Sequence, residues 1–300
     1  MKRLQILIIV PCFLSIMTML IGCGGPKPVT FPDENLEAAI RNALQSSNLN
    51  TSEGEEITID ELSHLTMLNA NDRYITDLTG LEHCTNLSGL YLFGNDISDV
   101  SPLSSLTNIT LLYLGGNQIS DISFTSSLTD LIELDLGWNQ LSEVTALSSL
   151  ANMAVLNLSH NKISDISPLT HLTNIKSLNL SSNQISDISP LSSLNNLAVL
   201  NIGWNQIKDI SSLSSLTNLT ILALGGSNIS DISSLSRLSN LTKLELQSNQ
   251  INDITPLVEN SGLDEGDILY LENNKLDLTE GSEDIANIKV LQDRGVTVIY

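Results

Sequence analysis

The feature that most constrains this chain is an asparagine that returns every 22 residues. A fixed period of this size is typical of a protein built as a stack of equal structural units. The sequence therefore predicts an elongated array of stacked turns. Arg73 marks a degenerate first turn, and Asn274 marks a last turn after a three-residue insertion, so we count ten turns. The grid between them is occupied by Asn95, Asn117, Asn139, Asn161, Asn183, Asn205, Ser227 and Asn249.

Leucines surround each grid position in the pattern L-x-x-L-x-L-x-x-N-x-I/L, as in Leu90-Tyr91-Leu92 before Asn95. The alternating Leu-x-Leu predicts a short strand with leucines inward and x residues outward. Successive turns are expected to pair in parallel, and each unit buries apolar surface only against its neighbours. The asparagine carries donors and an acceptor for the backbone of the tight turn that leaves the strand. Because Ser227 has a shorter side chain, we expect the weakest turn there.

An acidic residue follows each grid position by four residues, mostly within the motif S-D-I-S-P/S-L. Aspartate before serine and proline predicts the capped start of a short 3₁₀ or helical turn. A row of carboxylates is also compatible with Ca²⁺, but capping accounts for every member, so we expect no metal and no cofactor. The row is Asp77, Asp99, Asp121, Glu143, Asp165, Asp187, Asp209, Asp231 and Asp253.

Both ends of the array carry sequences that predict caps. Asp33 precedes an amphipathic pattern that extends to Leu44, which predicts a helix over the first turn. Ile57-Thr58-Ile59 is interpreted as an edge strand. At the far end, residues 282–294 predict a second helix that stops at Gly295, followed by a strand over residues 296–300.

The N-terminus has the order of an export signal. Lys2 and Arg3 precede an apolar run over residues 4–21. Its end, Leu20-Ile21-Gly22-Cys23, resembles the lipobox of bacterial lipoproteins. That resemblance implies lipidation of Cys23, attachment to a membrane of the cell envelope outside the cytoplasm and, since glycine follows the cysteine, the outer membrane if the cell is Gram-negative. The alternative is an uncleaved membrane anchor, because the run is about long enough to span a bilayer.

These features divide the chain into five segments. They are a lipoprotein signal peptide over residues 1–22, a tether over 23–30, an N-terminal cap over 31–62, repeats over 63–258, and the last repeat with the C-terminal cap over 259–300. The 34 acidic residues exceed the 13 basic ones, for a net charge of −21. Such a charge repels phosphate backbones, so we expect no nucleic-acid partner.

The repeat pattern is the leucine-rich repeat signature. The run F-P-D-x-N-L-x-x-A-I, followed by repeats with N-Q-I-S-D-I-S-P-L, resembles bacterial internalin-type leucine-rich repeat proteins over residues 31 to about 258. This resemblance implies an α/β solenoid. The expected architecture is a curved array with a parallel concave sheet, short 3₁₀ turns on the convex side, a helical N-terminal cap and a helix-strand C-terminal cap.

The outward x positions of the strands are free of the demands of the repeat, so a ligand site is expected there. Exposed aromatic rings surrounded by polar residues are typical of binding hot spots. They predict a protein ligand for a monomeric, surface-anchored lipoprotein. One alternative is a glycan stacked on the rings, and another is that the rings only shield the sheet. The candidate residues are Tyr91, Phe93, Tyr113, Glu133, Asp135, Trp138, His160 and Trp204.

Catalysis finds little support in the sequence. The four histidines are dispersed between residues 64 and 171, and no HExxH, GxSxG or phosphate-loop motif is present. We therefore expect a binding protein that is not an enzyme.

Overall fold

The computed structural model describes residues 27–47 and 55–300. The predicted signal peptide and Cys23 lie outside the described residues. Eleven strands form one parallel sheet in chain order, ten from the repeats and one from the C-terminal cap. They are β3 (Met67–Asn69), β4 (Gly89–Tyr91), β5 (Leu111–Tyr113), β6 (Glu133–Asp135), β7 (Val155–Asn157), β8 (Ser177–Asn179), β9 (Val199–Asn201), β10 (Ile221–Ala223), β11 (Lys243–Glu245), β12 (Ile268–Tyr270) and β13 (Thr297–Ile299).

The return side of each turn is a short 3₁₀ helix in most repeats. These helices span Leu81–His83, Ser101–Ser105, Ser123–Ser127, Thr145–Ser149, Ser167–His171, Ser189–Ser193, Ser211–Ser215 and Ser233–Arg237. A short α-helix, α3 (Thr255–Glu259), takes this place in the following repeat. The predicted α/β solenoid with a parallel sheet and 3₁₀ turns is confirmed.

The core is one continuous stack of apolar columns between the sheet and the 3₁₀ turns. Strand leucines such as Leu90, Leu112 and Leu134 are buried and lie directly beside one another across the strands. Cys84 occupies the first place of another buried column. Burial, and next the charge of Glu82, raise the pKa of its thiol to about 12, so it stays protonated and inert.

The grid asparagines tie each turn to the one before it. In Asn161, Nδ2 donates to the carbonyl oxygens of Leu136 (3.0 Å) and Leu158 (3.1 Å), while Oδ1 accepts from the Leu141 N–H at 2.9 Å. Nδ2 also donates to the Ser159 carbonyl oxygen at 3.1 Å, so one side chain satisfies four buried backbone groups in two turns. At the exceptional position, Ser227 Oγ is buried and has no hydrogen-bond partner among the described residues.

The eight aspartates of the acidic row close the return turns as predicted, but from one position further away, whereas Glu143 makes no hydrogen bond to its turn within the described residues. Asp187 Oδ1 accepts from the Ser189 N–H at 2.9 Å, and Ile188 lies between the aspartate and the 3₁₀ helix. The carboxylate therefore closes an Asx turn two residues ahead instead of occupying the N-cap itself. The hydrogen bonds from the Ser189 backbone and side chain lower the pKa of Asp187.

The N-terminal cap differs from the prediction in two places. Strand β1 (Pro28–Val29) pairs antiparallel with β2 (Ile57–Thr58) in a separate sheet, so the end of the predicted tether is part of the folded cap. Ile59 does not continue the strand but begins helix α2 (Ile59–Leu62). The reason is a capping box in which Thr58 and Glu61 bond each other's backbone N–H groups.

The predicted cap helix is present as α1 (Glu34–Ser46), and Asp33 attaches it to the first repeat. Asp33 Oδ1 accepts from the Leu36 N–H at 3.0 Å, while Oδ2 accepts from the Thr76 N–H at 2.8 Å. Burial acts to raise the pKa of this carboxyl, but hydrogen bonds from the backbone of Thr76, Leu36 and Asp77 outweigh it and lower the pKa.

The C-terminal cap follows the prediction. Helix α4 (Glu283–Asp293) is capped by Ser282, and β13 extends the sheet after Gly295, whose φ of 96° is in the region that favours glycine. Arg294 secures this cap through hydrogen bonds to the carbonyl oxygens of Val258 (2.7 Å) and Asn260 (3.2 Å).

Exchanging residues at two grid positions tests the asparagine stack. Asn161→Ser leaves buried backbone groups unpaired and is expected to lower the free energy of unfolding by about 1–3 kcal/mol. Ser227→Asn is expected to raise it by about 1 kcal/mol, because the new amide reaches groups that serine cannot. Urea unfolding measures both. Equal effects at the two positions would contradict a role for the amide.

The carboxylate of Asp33 is expected to stabilise the protein in a pH-dependent way. Asp33→Ala should lower the unfolding free energy by about 1–3 kcal/mol near neutral pH. Because the folded-state pKa lies below the unfolded value of about 3.9, this contribution is complete above that value and is lost as the pH falls through the folded pKa. Urea unfolding at neutral and acidic pH measures the difference, with Asp130→Ala as control, because Asp130 is exposed and accepts no hydrogen bond from the described residues. A pH-independent loss would argue against the carboxylate.

Candidate functional site

The candidate residues lie on the outward face of the sheet and on the residue that starts the turn after each strand. This last residue forms a column in which every backbone has positive φ, from Asp72 to Asn273. The conformation follows from the tight turn before each grid asparagine. Three turns satisfy it with Gly94, Gly116 and Gly226. The concave face consists of the outward residues of β3–β12, the residue two positions beyond each of the last outward ones, such as Phe93 after Tyr91, and this positive-φ column.

Aromatic residues occupy three positions of this column, although glycine would adopt the left-handed conformation there at the lowest cost in free energy. Trp138, His160 and Trp204 have φ values of 56°, 53° and 57°. The left-handed region costs a non-glycine residue about 1–2 kcal/mol. The two tryptophans are also about 60% exposed, so burial recovers only part of that cost. A strained backbone conformation at exposed aromatic residues is typical of functional sites.

Two tyrosines of adjacent strands form one half of the predicted aromatic patch. The rings of Tyr91 and Tyr113 are stacked, with centroids 4.9 Å apart and planes 8° apart. Phe93 lies two residues further along the strand and is 43% exposed. Gly115 makes room beside it, because a Cβ there would lie 3.0 Å from both the Phe93 ring and Asp135 Oδ1.

The two predicted carboxylates beside the patch have different environments. Tyr113 Oη donates to Glu133 Oε2 at 2.5 Å, and this bond, followed by burial, raises the pKa of Tyr113 to about 12. Burial also raises the pKa of Asp135, although its carboxylate accepts from the Gly137 N–H and from Asn157 Nδ2. Glu133 therefore orients a tyrosine, whereas Asp135 closes a turn.

The remaining aromatic residues divide into a stacked pair and a separate ring. Trp138 and His160 lie in adjacent turns with ring centroids 3.6 Å apart and planes 15° apart. Trp204 lies two turns beyond His160, with Ser182 between them in the column. Its indole covers Gly226, where an added Cβ would lie 2.5 Å from the ring. The structure thus separates Trp204 from Trp138 by three turns, while His160 lines the same depression as Trp204.

A row of asparagines on the concave face was missed in the sequence analysis. Asn157, Asn179 and Asn201 lie side by side in β7, β8 and β9. Each Oδ1 accepts the backbone N–H two residues ahead, as in Asn179 with Ser181 at 3.1 Å. Their recurrence at the repeat period on outward positions was the available signal. Contacts between turns decide which of their NH₂ groups lack a hydrogen-bond acceptor among the described residues.

The described residues offer neither a metal cluster nor a membrane span. Within residues 27–47 and 55–300, no group of three or more His, Cys, Asp and Glu side chains is placed to hold a metal ion. None of the helices in this part of the chain is long and apolar enough to cross a membrane.

Comparisons with known proteins agree with the fold. Models of leucine-rich repeats match residues 85–126, 107–152, 151–193 and 173–215 as two-copy units and residues 237–254 as one repeat. No curated protein sequence matches the chain. A leucine-rich repeat protein from Leptospira interrogans, LIC12759, supports the fold alone, at 24% identity over 81% of this chain and 62% of that chain, with a TM-score of 0.72. The fold and the concave face define a leucine-rich repeat scaffold, a class that is typically non-catalytic and binds protein ligands.

Two solved structures identify the family. An internalin (inlF) from Listeria monocytogenes is 35% identical over 92% of this chain and 91% of that chain, with a TM-score of 0.64. An internalin C2 (inlC2) from the same organism is 34% identical over 85% of this chain and 97% of that chain, with a TM-score of 0.59. The chain belongs to the internalin family of leucine-rich repeat proteins.

The bond between Tyr113 and Glu133 is open to a direct test. In the folded protein Tyr113 is expected to ionise with a pKa of about 12. Glu133→Gln removes the carboxylate charge and its strong acceptor, so the pKa of Tyr113 should fall toward the usual value of about 10. NMR titration of isotope-labelled tyrosine measures this shift, with Tyr113→Phe to assign the signal. An unchanged pKa in Glu133→Gln would rule the bond out.

Proposed function

We propose that this protein is a non-catalytic, lipid-anchored protein of the bacterial cell envelope that binds a protein partner through its concave face. The observation that carries the proposal is Trp138, which is held 60% exposed in a left-handed backbone conformation next to the exposed rings of the patch. A residue there serves the fold best as glycine, as three other turns illustrate, so the aromatic side chains have another use.

The protein-binding residues are expected in the N-terminal half of the concave face. Tyr91, Phe93, Tyr113 and Trp138 supply rigid aromatic surface, of the kind enriched in binding hot spots. The stacking of Tyr91 on Tyr113 and the hydrogen bond of Tyr113 to Glu133 restrict these side chains before binding. Preformed anchors lose little conformational entropy on association, which favours affinity. His160 supports Trp138 from the next turn.

The partner is expected to be weakly basic where it meets this patch. Glu133 and Asp135 lie in the same strand beside the aromatic rings, and the chain has a net charge of −21. Long-range attraction then accelerates encounter with a positive surface, and added salt weakens it.

The lipid anchor at Cys23 is supported by the lipobox resemblance and by the position of the first described strand. Because β1 starts at Pro28, only about four residues separate Cys23 from the cap, a reach of roughly 14 Å. A folded cap so close to the acylated residue would hold the array against the membrane. Two or more acyl chains are needed for stable attachment.

A double variant tests the binding site. Tyr113→Ala with Trp138→Gly should reduce recovery of a crosslinked partner from intact cells at least tenfold, with Tyr300→Ala, an exposed aromatic at the end of the sheet, as control. Loss of hot-spot residues typically costs about 2 kcal/mol or more each. Circular dichroism and urea unfolding should remain close to wild type. Undiminished recovery with the double variant would remove this site from consideration.

The anchor is tested independently. Cys23→Ala is expected to prevent incorporation of labelled fatty acid and to release the protein from the membrane fraction. Cys84→Ala serves as the matched control, because that thiol is buried in the fold. Fatty-acid labelling that persists in Cys23→Ala would contradict lipidation at this position.

A further inference from the structure

A depression of about 450 Å³ lies on the concave face around Trp204, in the central turns of the array. Its lining includes His160 and Ser182 on one side of Trp204, Asn201 and Gly203 below it, and Glu245 beyond. Volumes of this size are typical of sites for small ligands. The stacked tyrosines and Phe93 do not contribute to it.

Trp204 forms a fixed apolar platform in this depression. One part of its indole is packed on the backbone of Gly226, which has room for the ring only because it lacks a Cβ. The rest of the ring is exposed to solvent. Gly203 lets the next turn approach closely, because a Cβ on it would lie 2.7 Å from the Gly225 carbonyl oxygen, so the floor beside the indole is made of backbone. A flat ligand can therefore approach both the indole and the floor.

Asn201 lines the depression and supplies a hydrogen-bond donor there, and Asn179 lies next to Asn201 in the adjacent strand, outside the lining. Oδ1 of Asn179 accepts from the Ser181 N–H and Oδ1 of Asn201 from the Gly203 N–H, so each NH₂ group must point away from the backbone. Among the described residues, none accepts a hydrogen bond from Nδ2 of Asn179 or Asn201. Asn157 differs, since its Nδ2 donates to Asp135 Oδ1 at 2.9 Å. In this row of three asparagines, the N–H donors without an acceptor among the described residues therefore belong to Asn179 and Asn201, the two nearer to the turn of Trp204.

The charges of the depression are nearly balanced. Its carboxylate, Glu245, forms an ion pair with Lys243 at 2.6 Å, and Lys243 also lies 5.7 Å from the centre of the Tyr270 ring. An ionic ligand would have to compete with this pair. An uncharged ligand with an apolar face and several hydroxyl groups uses both the indole and the free amide of Asn201 without that competition.

We propose that the Trp204 depression binds a neutral hexopyranose unit of a glycan, with one face of the sugar on the indole and a hydroxyl oxygen accepting from Asn201. This goes beyond the proposed protein partner and assigns the glycan to a different part of the concave face. The protein-binding patch is acidic and built from tyrosines, whereas this depression is nearly neutral and built from amides and glycines.

The chain contains two tryptophans, which makes fluorescence a local probe. In Trp138→Phe the emission comes from Trp204 alone, and in Trp204→Phe from Trp138 alone. Each is titrated with maltotriose, cellotriose and chitotriose. We expect a saturable emission change with at least one trisaccharide in Trp138→Phe and none in Trp204→Phe. No saturable change with any of the three, or an equal change in Trp204→Phe, would overturn the proposal.

A second pair of variants separates the donor from the fold. Asn201→Asp keeps the oxygen that accepts from Gly203 but removes the amide donor, and it should weaken trisaccharide binding at least fivefold. Asn69→Asp makes the same change six strands away, where Asn69 Oδ1 accepts from the Asn71 N–H, and should leave binding unchanged. Equal weakening by both variants would overturn the donor role. Neither variant touches Tyr113 or Trp138, so protein-partner recovery remains a separate readout.

Discussion

Hydrogen bonding by the grid asparagines is the interaction on which the remaining structure depends. Each amide satisfies backbone groups of its own turn and of the preceding one, so the chain can turn tightly after every three-residue strand without unpaired buried groups. Successive strands are therefore paired in parallel and in register. Leu134, Leu156 and Leu178, for example, lie directly opposite one another. The same turn imposes the left-handed backbone on the residue before each asparagine.

That imposed conformation links the fold to the proposed function. Where the position is glycine, the backbone meets the turn without strain, and a neighbouring side chain can lie across it, as Trp204 does over Gly226. Where the position is Trp138, His160 or Trp204, the protein accepts strain and exposes aromatic surface on one edge of the sheet. The protein tolerates this cost in folding free energy, because each turn is stabilised by packing against its neighbours in the long core.

The two proposed sites follow from differences between turns on one sheet. Near the N-terminal end, Tyr113 and Glu133 form a bonded, acidic patch. In the central turns, asparagines replace the charged and aromatic residues, and their amides face outward beside Trp204. A scaffold of equal units can thus present unlike chemistry at separate places without any change in its backbone. Neither site alters the capping aspartates or the core.

The sequence by itself determined the solenoid, its ten turns and both helical caps, because a 22-residue period of leucines and asparagines satisfies core and backbone in only one way. The strand predicted from the sequence was wrong at Ile59, because a capping box between Thr58 and Glu61 ends the strand before it. The predicted tether extended too far, since β1 pairs with residues about 30 positions away. Only the tertiary structure decided which outward side chains meet. Tyr113 reaches Glu133 and Trp138 stacks on His160 because adjacent turns bring together residues about 20 positions apart, and a periodic pattern does not specify the rotamers that make those contacts.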